Sequence, residues 1–328
     1  MKRILSGINK NLVLAIPLMM TAGFLYGLST DTGFLKNLIL PFTFLMVYPM
    51  MVNMNVKKIF EGGDGKTQVM TQVINFGISP FIAYLIGMIF FENQPYMALG
   101  ILLVGLLPTS GMTISWTGLA NGNIEAAIKM LVTGLLLGSF VTPFYIQFLM
   151  GTSIDVNMLS IIRQIALIVF LPLGIGYLTR KILIGKYGET VFKKEISPLF
   201  PGLSTLGVLG IVFTAIAIKA KIIYGSPQMI LYIMIPLGII YVGNYAISTI
   251  AGRRFLPYGD AVALVYGTAM RNLSIALAIA MNAFGKEGAD AALVIAVAYI
   301  IQVQSAAWYV KFSERIFGFK KTTVASLG

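Results

Sequence analysis

Two segments of this 328-residue chain place polar groups inside otherwise apolar runs. Residues 108–113 combine a proline, a glycine and three hydroxyl side chains, and residues 267–272 combine a threonine, an arginine and an asparagine. Hydroxyls, amides and a guanidinium bind polar or anionic solutes through hydrogen bonds. They do not provide the acid–base groups that most enzymes use near neutral pH. These residue types therefore indicate a binding site.

Arg271 is the most unusual residue in these segments, because it lies near the middle of a predicted membrane span. A guanidinium at that depth costs at least ~2.5–3.5 kcal/mol, so it requires partners. The nearest carboxylates in the sequence, Asp260 and Glu125, lie near the ends of their predicted spans. Two interpretations remain open: Arg271 faces an anionic or strongly polar solute, or backbone carbonyl groups of the segment around Pro108 satisfy it.

The elements that carry these segments are predicted to be transmembrane helices. Of all residues, 57% are hydrophobic and 11% are charged, which is unlike the composition of a water-soluble domain. The apolar runs are long enough to cross roughly 30 Å of hydrocarbon at about 20 residues per helix. We predict an all-α membrane protein with ten spans, near residues 11–28, 34–52, 68–90, 96–118, 124–149, 157–178, 198–219, 227–251, 258–283 and 289–310.

The net charge of +12 is a signal of membrane orientation. Most lysines and arginines fall in the loops on one side of the predicted membrane. The other side holds Lys36, Arg163, Lys219, Lys221 and Lys286. The positive-inside rule then places both termini in the cytoplasm. We expect a multi-pass protein of the cell (inner) membrane, with the lipid bilayer as its partner and no role in nucleic-acid binding.

The chain contains no cysteine and no histidine. Thiolate metal sites, cysteine nucleophiles and histidine proton relays are therefore excluded. Without these groups or a carboxylate in mid-membrane, we expect neither an enzyme nor a cofactor, and we assign no metal site. Coupling to sodium or to protons stays open.

The two polar segments correspond to each other within an internal repeat. Residues 108–115 and 267–274 align at an offset of nearly half the chain. Two halves of five spans each must have opposite orientation, because five is odd. Matched breaks in inverted repeats indicate the central site of a transporter. The alternative is that Pro108 merely kinks a packed helix.

We therefore expect the two breaks to form one solute site, with Arg271 as its charge anchor. The predicted site residues are Thr109, Ser110, Thr113, Ser115, Thr268, Arg271, Asn272 and Ser274. Polar side chains in the third, eighth and tenth spans are secondary candidates, although such amides commonly join helices to one another. These secondary candidates are Asn75, Asn244, Gln302 and Gln304.

The chain resembles the superfamily of bile acid:sodium symporters and arsenical-resistance permeases. The resemblance extends over nearly the whole chain and is most specific in residues 108–123 and 258–285, which include Leu119-Ala120-Asn121-Gly122-Asn123 and Arg271-Asn272-Leu273-Ser274-Ile275. It implies one transmembrane domain over residues 1–328. Spans 3–5 and 8–10 would form a core, and spans 1, 2, 6 and 7 a panel. The fourth and ninth spans would cross as broken helices, and core and panel would move for alternating access.

Departures from the superfamily pattern concern its ligands. Where the sodium-coupled branch has a glutamate and then a glutamine–asparagine pair, this chain has Gly267, Arg271 and Asn272. The resemblance therefore implies degraded sodium sites, with Arg271 as a built-in cation. The arsenite branch uses a cysteine in the fourth span near the place of Thr109, and that thiolate is missing here.

Together, these features predict a secondary active transporter of a small anionic or polar organic solute that works by alternating access. An arsenite or antimonite efflux permease of the same superfamily is the main alternative, and it would need oxygen or nitrogen ligands. A channel is a more remote alternative. The exact solute and the direction of transport stay open.

Overall fold

The computed structural model describes residues 12–54, 63–154 and 156–318, and this part of the chain is helical. Several basic residues used for the orientation prediction, at positions 2, 3, 10, 57, 58, 320 and 321, lie outside the described residues. The longer helices are α1 (Leu12–Ser29), α2 (Lys36–Asn53), α3 (Gly65–Phe90), α4 (Pro95–Leu106), α5 (Gly111–Leu119), α6 (Ile124–Met150), α7 (Met158–Tyr187), α8 (Phe200–Gly225), α9 (Gln228–Phe255), α10 (Tyr258–Ala269), α11 (Leu273–Ala283) and α12 (Gly288–Phe317).

Within the described residues, seven helical stretches are long and apolar enough to cross a membrane. Three shorter apolar helices, Leu14–Ser29, Pro95–Leu106 and Leu273–Ala283, lie in the predicted first, fourth and ninth spans. Large apolar side chains such as Phe148, Ile89 and Leu159 are more than 70% exposed, which suits a surface in contact with lipid. The chain is therefore a multi-pass membrane protein.

The helices pack in two groups. Helices α1, α2, α7 and α8 pack on one another and form the four-helix group. Helices α3–α6 and α9–α12 form the eight-helix group, in which α3 packs on α4, α4 on α12, and α9 on both α10 and α12. The interruptions that carry the predicted site lie in the eight-helix group.

Glycines allow the closest helix contacts. A Cβ atom added to Gly207 on α8 would overlap the backbone of Met46 on α2. A Cβ on Gly100 of α4 would come within 2.8 Å of the carbonyl oxygen of Ala291 on α12. Small residues are favoured at such contacts, because they let helix backbones approach closely where the hydrophobic effect does not drive association.

We predict that Gly207→Ala destabilises the protein, because its methyl group overlaps the α2 backbone. Overpacking of this kind typically costs about 1–3 kcal/mol. Gly243→Ala on α9 is the control, since no atom lies within 4 Å of the added Cβ. Thermal unfolding in detergent should show a melting temperature several degrees lower for Gly207→Ala alone. Equal melting temperatures for the two variants would contradict the packing of α2 on α8.

Candidate functional site

The first interruption separates α4 from α5. Helix α4 ends at Leu106, and Pro108 has no N–H group to continue the hydrogen-bond pattern of a helix. Thr109 has a φ of 54°, a left-handed conformation that a β-branched residue seldom adopts. Ser110 is extended and precedes α5, and its backbone N–H donates to Thr113 Oγ1 at 3.2 Å. The chain therefore leaves the helix for about four residues and then starts a new helix.

The second interruption separates α10 from α11. Helix α10 ends at Ala269, and Met270 is extended with φ −81° and ψ 108°. Asn272 is the N-cap of α11, and its Oδ1 accepts a hydrogen bond from the N–H of Ile275 at 3.2 Å. The predicted fourth and ninth spans are thus both interrupted where the sequence predicts a break.

The two interruptions contact each other directly. The backbone N–H of Asn272 donates to the carbonyl of Leu107 at 2.8 Å, and Pro108 and Arg271 form an isolated antiparallel bridge. Backbone groups freed by a broken helix must find partners away from lipid. Here each interruption supplies partners to the other, so the ends of four half-helices meet at one point, which we call the crossing.

The guanidinium of Arg271 lies beside the crossing and is fully buried. Its Nη1 donates to Asn75 Oδ1 at 3.1 Å, and its Nη2 donates to Ser79 Oγ at 2.7 Å. Ser79 in turn donates to Asn244 Oδ1 on α9 at 2.7 Å. The acceptors are thus neutral side chains of the third span, and not the fourth-span carbonyls considered from the sequence.

The backbone of Arg271 is held separately by Gln302 on α12. The N–H of Arg271 donates to Gln302 Oε1 at 2.7 Å, and Gln302 Nε2 donates back to the carbonyl of Arg271 at 3.2 Å. Tyr241 Oη also donates to Gln302 Oε1, at 2.9 Å. The amide of Gln302 therefore replaces the backbone partners that Arg271 lost when the helix was interrupted.

No carboxylate of the described residues forms an ion pair with Arg271; the ion pairs found there are Lys129 with Asp64 and Glu125, Lys193 with Glu189, and Lys219 with Asp290. The positive charge beside the crossing is therefore offset by neutral dipoles alone in this part of the chain. Such an environment favours an anion nearby and opposes a second cation.

Three buried polar atoms around the crossing lack a hydrogen-bond partner within the described residues. They are Ser110 Oγ, Asn272 Nδ2 and Arg271 Nε. Ser110 and Asn272 precede the first turns of α5 and α11, where unpaired N–H groups give a helix a partial positive charge. Buried polar groups without partners are rare in folded proteins, so these three atoms have hydrogen-bonding capacity to offer a solute.

Other predicted site residues are satisfied within the protein. Thr109 donates to the carbonyls of Pro108 and Met130, and Thr268 donates to carbonyls of its own helix. Thr113 donates to the carbonyl of Tyr266 at 3.4 Å. These three hydroxyls stabilise the crossing and are all fully buried.

The remaining predicted residues lie farther from the crossing network. Ser274 is half-buried and shares a hydrogen bond of 2.8 Å with the hydroxyl of Tyr299. Ser115 is exposed on α5, and Gln304 is exposed on α12. The structure thus brings Asn75, Asn244 and Gln302 into the network around Arg271 and leaves Gln304 outside it.

Ser79 is the residue that the sequence analysis missed. It lies four residues after Asn75, and residues four apart share one face of a helix. The spacing of Gln68, Gln72, Asn75 and Ser79 marks a polar stripe on α3 that could have identified it. A π-helical stretch at Val73–Ile78 lies within this stripe, and such stretches frequently occur at functional sites.

Broken helices that meet around a buried charge are typical of membrane transporters. The model of the Sodium Bile acid symporter family matches residues 40–226. The chain belongs to this family and is a transporter of it.

Individual relatives show the same relationship. The arsenical-resistance protein Acr3 of Alkaliphilus metalliredigens is 27% identical over 83% of this chain and 79% of its own. The Acr3 protein of Corynebacterium glutamicum is 24% identical over 75% of this chain and 70% of its own. An uncharacterized transporter of Synechocystis, slr0944, is 24% identical over 79% of this chain and 73% of its own. The resemblance found in the residues around the two breaks is thereby confirmed.

We predict that Ser79→Ala destabilises the protein, because it leaves Arg271 Nη2 and Asn244 Oδ1 without their shared partner. The expected cost is about 1–2 kcal/mol. Ser139→Ala is the matched control, since Ser139 is equally buried and its hydroxyl has no hydrogen-bond partner in the described structure. Thermal unfolding should separate the two variants by several degrees. If Ser139→Ala were the more damaging change, the network around Arg271 would not be stabilising.

Proposed function

We propose that the protein is a secondary active transporter that moves a small anionic or polar organic solute, and that the solute binds at the crossing. The observation that carries this proposal is a buried cation without an ion-pair partner in the described chain, placed beside two helix N-termini. Ser110 Oγ and Asn272 Nδ2, buried and without partners, supply hydrogen-bonding groups at those termini. Helix N-termini of this kind bind anions in many proteins.

Arg271 would act on the solute mainly through its charge. Both of its terminal nitrogens already donate to side chains of α3, so the guanidinium fork is occupied in this conformation. An anion bound to Asn272 at the crossing would still lie near the charge of the preceding residue, Arg271. The surroundings there have a low dielectric constant. The attraction between charges is much stronger there than in water.

The two helix groups support an alternating-access mechanism in which one group moves against the other. They also fit two inverted repeats of five spans each. The four-helix group would be the panel, and it contains the predicted first and second spans and the sixth and seventh. The eight-helix group would be the core, and it contains both broken spans. Each group thus takes corresponding spans from each half, as a twofold-related repeat requires. We place both termini in the cytoplasm and the protein in the inner membrane.

An arsenite or antimonite efflux permease is the second candidate, favoured by the two relatives named Acr3. Without cysteine, such a permease would have to bind the metalloid through the hydroxyls and amides of the crossing. Arsenous acid is neutral near pH 7, so this function gives no reason for an uncompensated Arg271. A channel, the remote alternative, would expose a continuous water path and show no saturable exchange.

The experiment that tests the proposal compares solutes on the purified protein. Small carboxylates, other oxyanions, arsenite and neutral polar solutes are each titrated while thermal unfolding is followed, because a ligand that binds the native state raises its stability. Solutes that stabilise are then tested for saturable uptake into proteoliposomes. Stabilisation by anions supports the proposal, and stabilisation by arsenite alone would support the permease instead.

We predict that replacing sodium by potassium leaves solute uptake unchanged. A cation entering the crossing would be repelled by Arg271, and the described residues offer no carboxylate there to offset that repulsion. Initial uptake rates in proteoliposomes, measured with sodium and with potassium at equal ionic strength, check this. Uptake that requires sodium would show that a cation site exists after all.

We also predict that Arg271→Gln weakens binding of an anionic solute at least about tenfold, a change of ~1.4 kcal/mol. Glutamine keeps some hydrogen-bonding capacity toward Asn75 and Ser79 but removes the charge. Arg271→Lys keeps the charge and should bind the anion better than Arg271→Gln does. Affinities come from titrations, and melting temperatures of the same samples report folding. A lower melting temperature with unchanged anion affinity would make Arg271 purely structural.

A further inference from the structure

An ion pair joins the two helix groups at one end of the molecule. Lys219 Nζ on α8 lies 2.7 Å from Asp290 Oδ1 on α12. The side chain of Lys219 is 12% exposed and that of Asp290 is 28% exposed, so solvent screens this pair less than it screens a surface pair. Lys219 belongs to the four-helix group and Asp290 to the eight-helix group.

A second polar contact joins the groups at the same end. Asn282 Nδ2 near the end of α11 donates to Thr43 Oγ1 on α2 at 3.1 Å, and Thr43 is only 1% exposed. Lys219 lies near the C-terminal end of α8, and Asp290 lies in the first turn of α12. The distribution of lysines and arginines assigns this end to the outside of the membrane.

The two inner half-helices, α5 and α11, differ in their surroundings. Helix α11 packs against α2, α7 and α8 of the four-helix group. Helix α5 packs against α6, α10 and α12 of its own group, and its residues Gly111 and Ser115 are exposed. In an inverted repeat these half-helices are counterparts. The difference between the surroundings of α5 and α11 indicates that the four-helix and eight-helix groups are in contact at the outer end and separated beside α5.

A cavity of about 770 Å³ adjoins the ion pair. Its lining includes Lys219 and Asp290 themselves, together with Tyr96, Gln94 and Gln228. It contains residues from both helix groups and therefore lies at the seam that would have to open.

We propose that Lys219 and Asp290 form the outer gate of the transport path. This proposal rests on alternating access as proposed above. To open the outer end, α8 must move away from α12, and the ion pair must break. Asp290 lies in the first turn of α12, where the helix dipole favours a negative charge, so its carboxylate tolerates separation from Lys219. The ion pair thus keeps the outer end closed in this conformation, while the end beside α5 is open. Breaking the pair is reversible.

Two reporters for the gate use the absence of cysteine from the chain. A thiol introduced by Thr43→Cys is buried at the outer seam and reacts only when that seam opens, so its alkylation rate reports the open fraction. A thiol introduced by Ser115→Cys lies on the exposed face of α5 and reports access from the other side. Both rates are measured in detergent without any solute.

We expect Lys219→Met and Asp290→Asn each to raise the alkylation rate at position 43 about threefold to fivefold, a size typical of losing one ion pair. The rate at position 115 should stay equal or fall. The charge-swapped double variant, Lys219→Glu with Asp290→Lys, should bring the rate at position 43 back toward that of the parent.

The matched control is the pair Lys193–Glu189, which has the same distance of 2.7 Å but lies within one exposed segment. Lys193→Met should leave both rates unchanged. The gate is overturned if neither variant of the Lys219–Asp290 pair raises the rate at position 43, if the control raises it equally, if the double variant gives no recovery, or if both reporter positions become faster together.

These outcomes are independent of the solute. If position 43 responds as expected but no anion binds, the gate stands and the solute assignment fails. If an anion binds but position 43 does not respond, the gate alone is wrong.

Discussion

A buried positive charge that forms no ion pair with a described carboxylate is the constraint on which the rest of this structure depends. Burying a guanidinium is tolerable only if hydrogen bonds replace its hydration. Asn75 and Ser79 provide those bonds, and Asn244 fixes Ser79 in turn. Two helices, α3 and α9, are thereby tied to one side chain. The same charge sets the electrostatic character of the crossing, because it makes an anion the preferred occupant and a cation a costly one.

The broken helices follow from the same need to satisfy polar groups. An interruption within a membrane helix would be too costly if its backbone groups faced lipid, so the two interruptions lie against each other. Asn272 bonds the backbone of Leu107, and Gln302 replaces the lost partners of Arg271. The result is a point where two helix N-termini converge, held by these hydrogen bonds. Movement must then occur elsewhere, at the seam between the four-helix and eight-helix groups.

Much of this could be predicted from the sequence, because the signals are local. Pro108, a run of hydroxyls and an arginine stand out against apolar helices, and their spacing by half the chain indicates matching breaks. What could not be predicted is non-local. Gln302 and Gln304 are two residues apart, and only the face of α12 decides which one reaches Arg271. The hydrogen bond between Ser79 and Arg271 and the pairing of Lys219 with Asp290 both depend on how helices distant in sequence meet.

The most direct measurement concerns the occupant of the crossing. In the cysteine-free chain, Ser110→Cys places a thiol where a buried hydroxyl now lacks a partner in the described structure. The alkylation rate of that thiol is measured in sodium-free buffer with increasing concentrations of small organic anions and of matched neutral solutes. We expect an anion to slow the reaction in a saturable manner without sodium, while neutral solutes have little effect. Protection by no anion, or protection that appears only with sodium, would contradict an anion site at the crossing.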